Sequence, residues 1–209
     1  MWKARIWQPA VLDKFEKYVL ILVFSILGYR MTLSYMTNDD VSALIYLFDQ
    51  SLVLLFIVIR RQTEDISLRY DEWFVGFGGT LLPLLLAPAA IGSALVSPRV
   101  FVPIILVGLC IHLAAKLTLR RSFGVVAANR GVTAAGPYTI IRHPMYAGYV
   151  IVHIGFLLAN PSLYNVILIA MCWSLFVLRI RAEERVLSED PSYREMMQRT
   201  PYRLVPGVY

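Results

Sequence analysis

The sequence predicts an all-α, polytopic integral membrane protein of about six hydrophobic helices, the last two forming a helical hairpin. Three observations lead there. Hydrophobic residues fill 58% of the 209 positions and charged residues only 16%, against about 45–50% and about 25% in soluble domains. The apolar residues fall in runs of membrane-spanning length, about 17–25 residues. The basic residues sit in short segments between those runs, the pattern that orients membrane helices. The net charge of +6 therefore speaks for topology rather than for nucleic-acid binding.

The elements follow in order. Residues 1–17 are mixed and charged and lack the apolar core and small-residue cleavage site of a signal peptide. The first helix is expected to stay as an uncleaved anchor, and Trp2, Lys3, Arg5 and Trp7 suit a short helix lying on the interface. The first apolar segment covers about residues 18–36 and ends at TNDD. The second covers 41–59 and stops at Arg60-Arg61. The third covers about 73–96, with Pro83 and Pro88 expected to kink it. The fourth covers about 100–119. The fifth, 145–159, is broken by Asn160-Pro161-Ser162, and the sixth runs from 162 to about 187. At 1.5 Å per residue the fifth spans roughly 22 Å, short of the ~30 Å hydrocarbon core.

Orientation follows from charge. With the N-terminus in the cytoplasm, 18 of the 20 Lys and Arg residues lie in cytoplasmic segments, leaving Arg99 outside and Arg30 within the membrane. This bias predicts six crossings of the cell membrane with both termini cytoplasmic. A charge inside a membrane normally finds a partner, and hairpin depths predict an Arg30–Asp49 pair with Gln50 and Tyr46 nearby. Cys110 and Cys172 lie in apolar runs without metal-ligand spacing, so no metal site is read. His112 and His153, each alone within a helix, read as hydrogen-bonded structure or as a substrate path.

The stretch that carries chemistry is GPYTIIRHPMYAGY, residues 136–149, where a basic loop runs into the fifth apolar segment. Proline suits the first turn of a helix, so Pro144 is expected to open the helix beside His143. The unpaired N–H groups of a helix start suit a carboxylate or phosphate, and Arg142 adds a planar fork for an anion. Tyr146 falls on the first turn, and Gly148 permits a close approach to the backbone. Gly124, Gly131 and Gly136 cut the preceding loop into turns. These residues alone read equally as an anion or cofactor site and as a helix start that caps itself.

A second cluster, LRIRAEERVL at 178–187, ends the sixth segment. Arg179 and Glu183 are four apart and share a helix face, and Glu184 follows. A hairpin of the last two segments brings these residues level with Arg142 and His143, giving a cytoplasmic cofactor pocket. The alternative is a solvated, salt-bridged helix end. The tail, with Tyr193, Tyr202 and Tyr209, either folds over this site or lies on the membrane.

GPYTIIRHPMYAGY, followed by RAEERVL and YRLVPGVY, resembles the isoprenylcysteine carboxyl methyltransferase family and its bacterial relatives grouped with phospholipid methyltransferases. The resemblance covers about the last ninety residues, and RSFGVVAANRGV is similar to the bacterial branch, with Arg130 about where eukaryotic members carry a histidine. It implies a methyltransferase using S-adenosyl-L-methionine, with one domain over 1–209: N-terminal helices to 119 and a cofactor-binding catalytic half from 120. Carried over by position, Tyr138, His143, Pro144, Met145 and Tyr146 contact the cofactor, and Val132 and Thr133 line it. Arg142, Gly148 and Glu184, read from the residues themselves, join these as expected cofactor-binding residues. Glu183 holds the cofactor and Arg179 the methyl acceptor, both as catalytic residues.

The residue chemistry is compatible with that implication. Methyl transfer from a sulfonium is an in-line displacement that needs alignment and a dry site. Tyrosine faces attract a cation, a carboxylate such as Glu183 binds an amino group or ribose hydroxyls, and Arg179 suits an acceptor carboxylate bidentately. An amine acceptor would instead need a general base, Glu184 or His143. The expected partners are membrane lipids and a lipophilic or lipid substrate: a prenylcysteine-like carboxylate, a phospholipid amine or a small amphiphile. Competing readings are a membrane reductase using a nicotinamide cofactor and a non-catalytic transporter or scaffold. A transporter predicts broken helices with polar midplane sites, whereas the polar residues here gather at the cytoplasmic face.

Overall fold

A computed structural model describes residues 8–38, 41–89 and 92–208, with side chains throughout except at 34, 38 and 41–46. The readings on Trp2, Lys3, Arg5, Trp7, Tyr209 and the side chain of Tyr46 lie outside the described residues. The helices are α1 (Pro9–Asn38), α2 (Val41–Ile59), α3 (Tyr70–Leu81), α4 (Pro98–Leu119), α5 (Pro144–Ala159), α6 (Leu163–Leu187) and α7 (Pro191–Arg199). Among the described residues no strand forms; Ile66 and Ala128 make one isolated antiparallel bridge. The protein is an all-helical, multi-pass membrane protein. By length and composition, Pro9–Thr37, Pro98–Ser122 and Leu163–Leu187 can each cross a membrane, while Leu47–Ile59 and Pro144–Ala159 are shorter apolar helices.

The N-termini of α1, α3 and α5 and the C-termini of α2, α4 and α6 gather at one pole, and most of the basic residues lie there. Helix α1 starts earlier than its apolar run implies, because Pro9 opens a first turn and Asp13 and Glu16 on the next turns are buried rather than solvated.

The third apolar segment departs from a kinked crossing. Helix α3 ends at Leu81, a 3₁₀ turn over Leu82–Leu85 carries Pro83, and residues 86–89 are non-helical. Proline removes a backbone donor and clashes with the preceding turn, so here it ends the helix. Non-helical backbone at membrane depth must find protein partners, and the α5–α6 turn supplies them. Asn165 Oδ1 accepts from Ala87 N at 3.2 Å, and its Nδ2 donates to Ala87 O at 2.9 Å. Asn160 Oδ1 accepts from Ala89 N at 3.1 Å.

Helices α5 and α6 form the expected hairpin, joined by the turn at 160–162 and spaced by aromatic rings: Phe176 lies 5.4 Å from Tyr146 and 5.9 Å from His153, centroid to centroid. The tightest packing of α5 is against α4. A Cβ on Gly108 would fall 2.8 Å from Gly148 O, and one on Gly148 would fall 2.7 Å from His112 N. Small residues permit such close helix approach in membranes. His153 Nδ1 faces Trp173 Nε1 at 3.3 Å, and the His112 ring lies 4.1 Å from that of Tyr149.

The Arg30–Asp49 pair does not form. Asp49 binds Lys116 of α4, Nζ lying 2.8 and 3.0 Å from its two carboxylate oxygens, and Arg30 is on an exposed face. The long aliphatic stem of lysine carries its charge inward from the helix end, so Lys116, read from sequence as a cytoplasmic base, is the buried partner.

Candidate active site

A cleft opens at the basic pole. Its walls are the α4–α5 loop, the start of α5, and the end of α6 together with α7. The loop wall is held from behind by α1. Glu16 Oε1 accepts hydrogen bonds from Val125 N at 2.9 Å and Val126 N at 2.8 Å. Arg130 Nη2 lies 2.7 Å from both Asp13 Oδ1 and Glu16 Oε2. Arg60, at the end of α2, closes the group on Asp13 at 3.0 Å and Glu16 at 2.9 Å. All four side chains are at most 1% exposed. Burying single charges is costly; two carboxylates against two guanidiniums compensate one another. The 61–68 stretch runs alongside, with Ser67 N donating to Ala127 O and Asn129 N to Asp65 O, both at 2.9 Å. Gly131 turns the loop at φ +100°, a left-handed conformation that favours glycine.

The second wall is the start of α5. His143 is its N-cap and Pro144 its first residue. Tyr146 is buried and its hydroxyl donates to Glu183 Oε1 across the hairpin. His143 Nδ1 lies 3.7 Å from Glu183 Oε2 and its Nε2 3.2 Å from Glu184 Oε1. Burial, reinforced by Glu183 and then Tyr149, pushes the Tyr138 hydroxyl well above its ordinary range, so it stays protonated.

Of the residues singled out from sequence, Val132, Thr133, Tyr138, Arg142, His143, Met145, Tyr146 and Glu183 line this cleft. Arg142 lines it but is not an open anion fork: Nε donates to Glu184 Oε1 at 2.8 Å, and Nη1 to Thr200 O and Pro201 O at 2.9 and 2.7 Å. Four others are not among its lining residues. Pro144 is buried as the opening residue of α5. Gly148 permits a close approach, but what approaches is the backbone of α4. Glu184 is an ionic hub that also takes Arg203, Nε at 2.8 Å. Arg179 lies behind Tyr146, its guanidinium carbon 5.3 Å from the ring centroid, and donates to Thr80 Oγ1 at 3.2 Å and Val125 O at 3.1 Å. It faces α3, where Gly79 leaves room for it: a Cβ there would fall 3.0 Å from Arg179 Cδ.

The tail folds over the cleft. Tyr193 and Met196 of α7 line it, and beyond α7 Arg142 N and His143 N each donate at 2.9 Å, to Tyr202 O and Arg203 O. These backbone bonds fasten the tail beside the α5 start.

Comparison with known families supplies the deciding observation. Residues 101–189 match the isoprenylcysteine carboxyl methyltransferase (ICMT) family. This stretch, less than half of the chain, is similar to that family, a family of methyltransferases. The matched ICMT region takes in α4, the loop wall, α5 and α6; α1–α3 and α7 lie outside it. No curated protein matches the chain.

Proposed function

We propose that the protein transfers a methyl group from S-adenosyl-L-methionine to a lipophilic acceptor, a prenylcysteine-like carboxylate or a lipid, at the inner face of the cell membrane. The whole chain then acts as one domain, its termini cytoplasmic. The observation that carries this reading is the convergence, inside the family-matched region, of Tyr138, Tyr146, His143 and Glu183 on one cleft. The donor set fits a sulfonium compound. Aromatic faces and a carboxylate attract the cation, and Val132, Leu187 and Met196 offer an apolar wall to a flat ring. Bound there, the donor supplies an electrophilic methyl.

The chain's own residues bind and align. Glu183, fixed by the Tyr146 hydroxyl, takes the donor's amino or hydroxyl groups. Val132, Thr133 and Met145 shape its berth, and His143 holds Glu183 and Glu184 in place. Glu184 and Arg142 position the α5 start and the tail rather than touching the donor. Arg179 is not among the residues lining the donor cleft, although its Nη2 lies 3.8 Å from Glu183 Oε1, and its Nε has no hydrogen-bond partner among the described residues. That leaves one edge of its fork for an acceptor carboxylate.

Calorimetric titration with S-adenosylhomocysteine, set beside NADPH, tests the donor. Radiolabelled methyl transfer into total membrane lipid and into a prenylcysteine analogue tests the acceptor. His143→Ala and Glu183→Ala are expected to lose donor affinity, whereas Arg179→Ala keeps it and loses turnover. Equal affinity in all three variants overturns these roles, and binding of NADPH in place of the homocysteine analogue overturns the reaction.

A further inference from the structure

The cleft's polar side chains are largely committed to one another: Arg142 to Glu184 and the tail, Tyr146 to Glu183, Arg130 to Asp13 and Glu16. Tyr193 differs. It lines the cleft and is 3% exposed, yet its hydroxyl has no hydrogen-bond partner among the described residues. A buried tyrosine hydroxyl usually finds a partner, and one left unpaired destabilises the fold that holds it. Phenylalanine would fill the same space without that penalty.

The position is set with care. Asp190 caps α7 by accepting from Ser192 N at 2.8 Å, and Asn129 Nδ2 donates to Asp190 Oδ2 at 3.0 Å. Asn129 belongs to the loop wall, so the start of α7 is tied across to the cleft's other side. Met196, three residues on, falls on the same helix face and lines the cleft as well. Tyr193 lies beyond residue 189, where the family match ends.

We propose that Tyr193 is a donor-binding residue, its hydroxyl donating a hydrogen bond to an oxygen or ring nitrogen of the bound S-adenosylmethionine-class ligand. The assignment rests on the methyltransferase reading above. Burial, with Glu184 adding to it, pushes the hydroxyl well above its ordinary range, so it holds its proton at neutral pH and is available as a donor. Helix α7 thereby becomes part of the binding site rather than a cover for it.

Tyr193→Phe separates binding from folding. With full-length protein in detergent, S-adenosylhomocysteine affinity is measured by calorimetry and the ligand-free thermal midpoint by scanning fluorimetry. The expected result is a Kd raised about tenfold, the loss of one useful hydrogen bond, with the ligand-free midpoint unchanged or higher. If wild type binds and the variant binds within about twofold of it, the hydroxyl is no contact and the assignment fails. A lowered ligand-free midpoint makes the hydroxyl structural and also overturns it. Wild-type protein indifferent to S-adenosylhomocysteine removes the methyltransferase reading and this inference together.

Discussion

Two ionic clusters brace the cleft, and they follow opposite plans. Behind the loop wall, Asp13, Glu16, Arg60 and Arg130 match two negative charges with two positive ones, and all four side chains are at most 1% exposed. At the end of α6, Glu184 alone gathers Arg142, Arg203 and His143, and the Arg203 side chain is 34% exposed. The difference follows from the medium. Where water is absent, uncompensated charge is prohibitive and the counts must balance. Where water reaches, the excess positive charge is screened. The first cluster joins elements distant in sequence into a fixed strut; the second is a fastening between the α5 start and the tail.

The comparison breaks hardest at the strut. Glu16→Leu orphans the Val125 and Val126 N–H groups and leaves Arg60 and Arg130 with Asp13 alone. Loss of a buried partner costs about 3–5 kcal/mol, so folded yield and thermal midpoint in detergent are expected to fall sharply. Glu184→Gln is the milder break. Hydrogen bonds to charged groups contribute about 1.5–3 kcal/mol each, but Arg203 can turn to water, so a smaller midpoint drop is expected. Donor affinity should fall along with it as the tail loosens. A Glu184 variant more damaging than the Glu16 variant would invert the comparison.

The smallest effect belongs to Asp190, a half-buried fastening of α7. Asp190→Ala removes an N-cap worth about 1 kcal/mol. The hydrogen bond from Asn129 holds the Asp190 carboxyl below its ordinary value. Its contribution is therefore complete above the ordinary carboxylate pKa and is lost as pH falls through the lower folded one. Midpoints of wild type and variant should differ at neutral pH and converge in acid.

Much of this arrangement is legible in the chain, for reasons particular residues make plain. Arg60-Arg61 and the sharp loss of apolar residues after them mark the end of α2, which stops at Ile59. A short turn at Asn160-Pro161-Ser162 forces α6 back along α5, so Glu183 must return to the level of His143 and Tyr146. What is illegible depends on partners far apart in sequence. Asp13 and Glu16 belong to a mixed, charged stretch before an anchor, and nothing local announces Arg130 more than a hundred residues on. Their spacing of three on one helix face, beside an apolar run, is the one available signal. Lys116 misleads because its position in the chain and the depth of its charge differ by a side-chain length. Gly148 announces a close approach correctly and says nothing of what comes close.

That last contact sets a limit on the whole cleft. With Gly108 and Gly148 backbone to backbone, α5 is notched into α4 at one height. A slip of one residue would drive the Tyr149 or Ala147 side chain into a neighbouring main chain. The vertical position of His143 and Tyr146 is therefore stepped rather than adjustable.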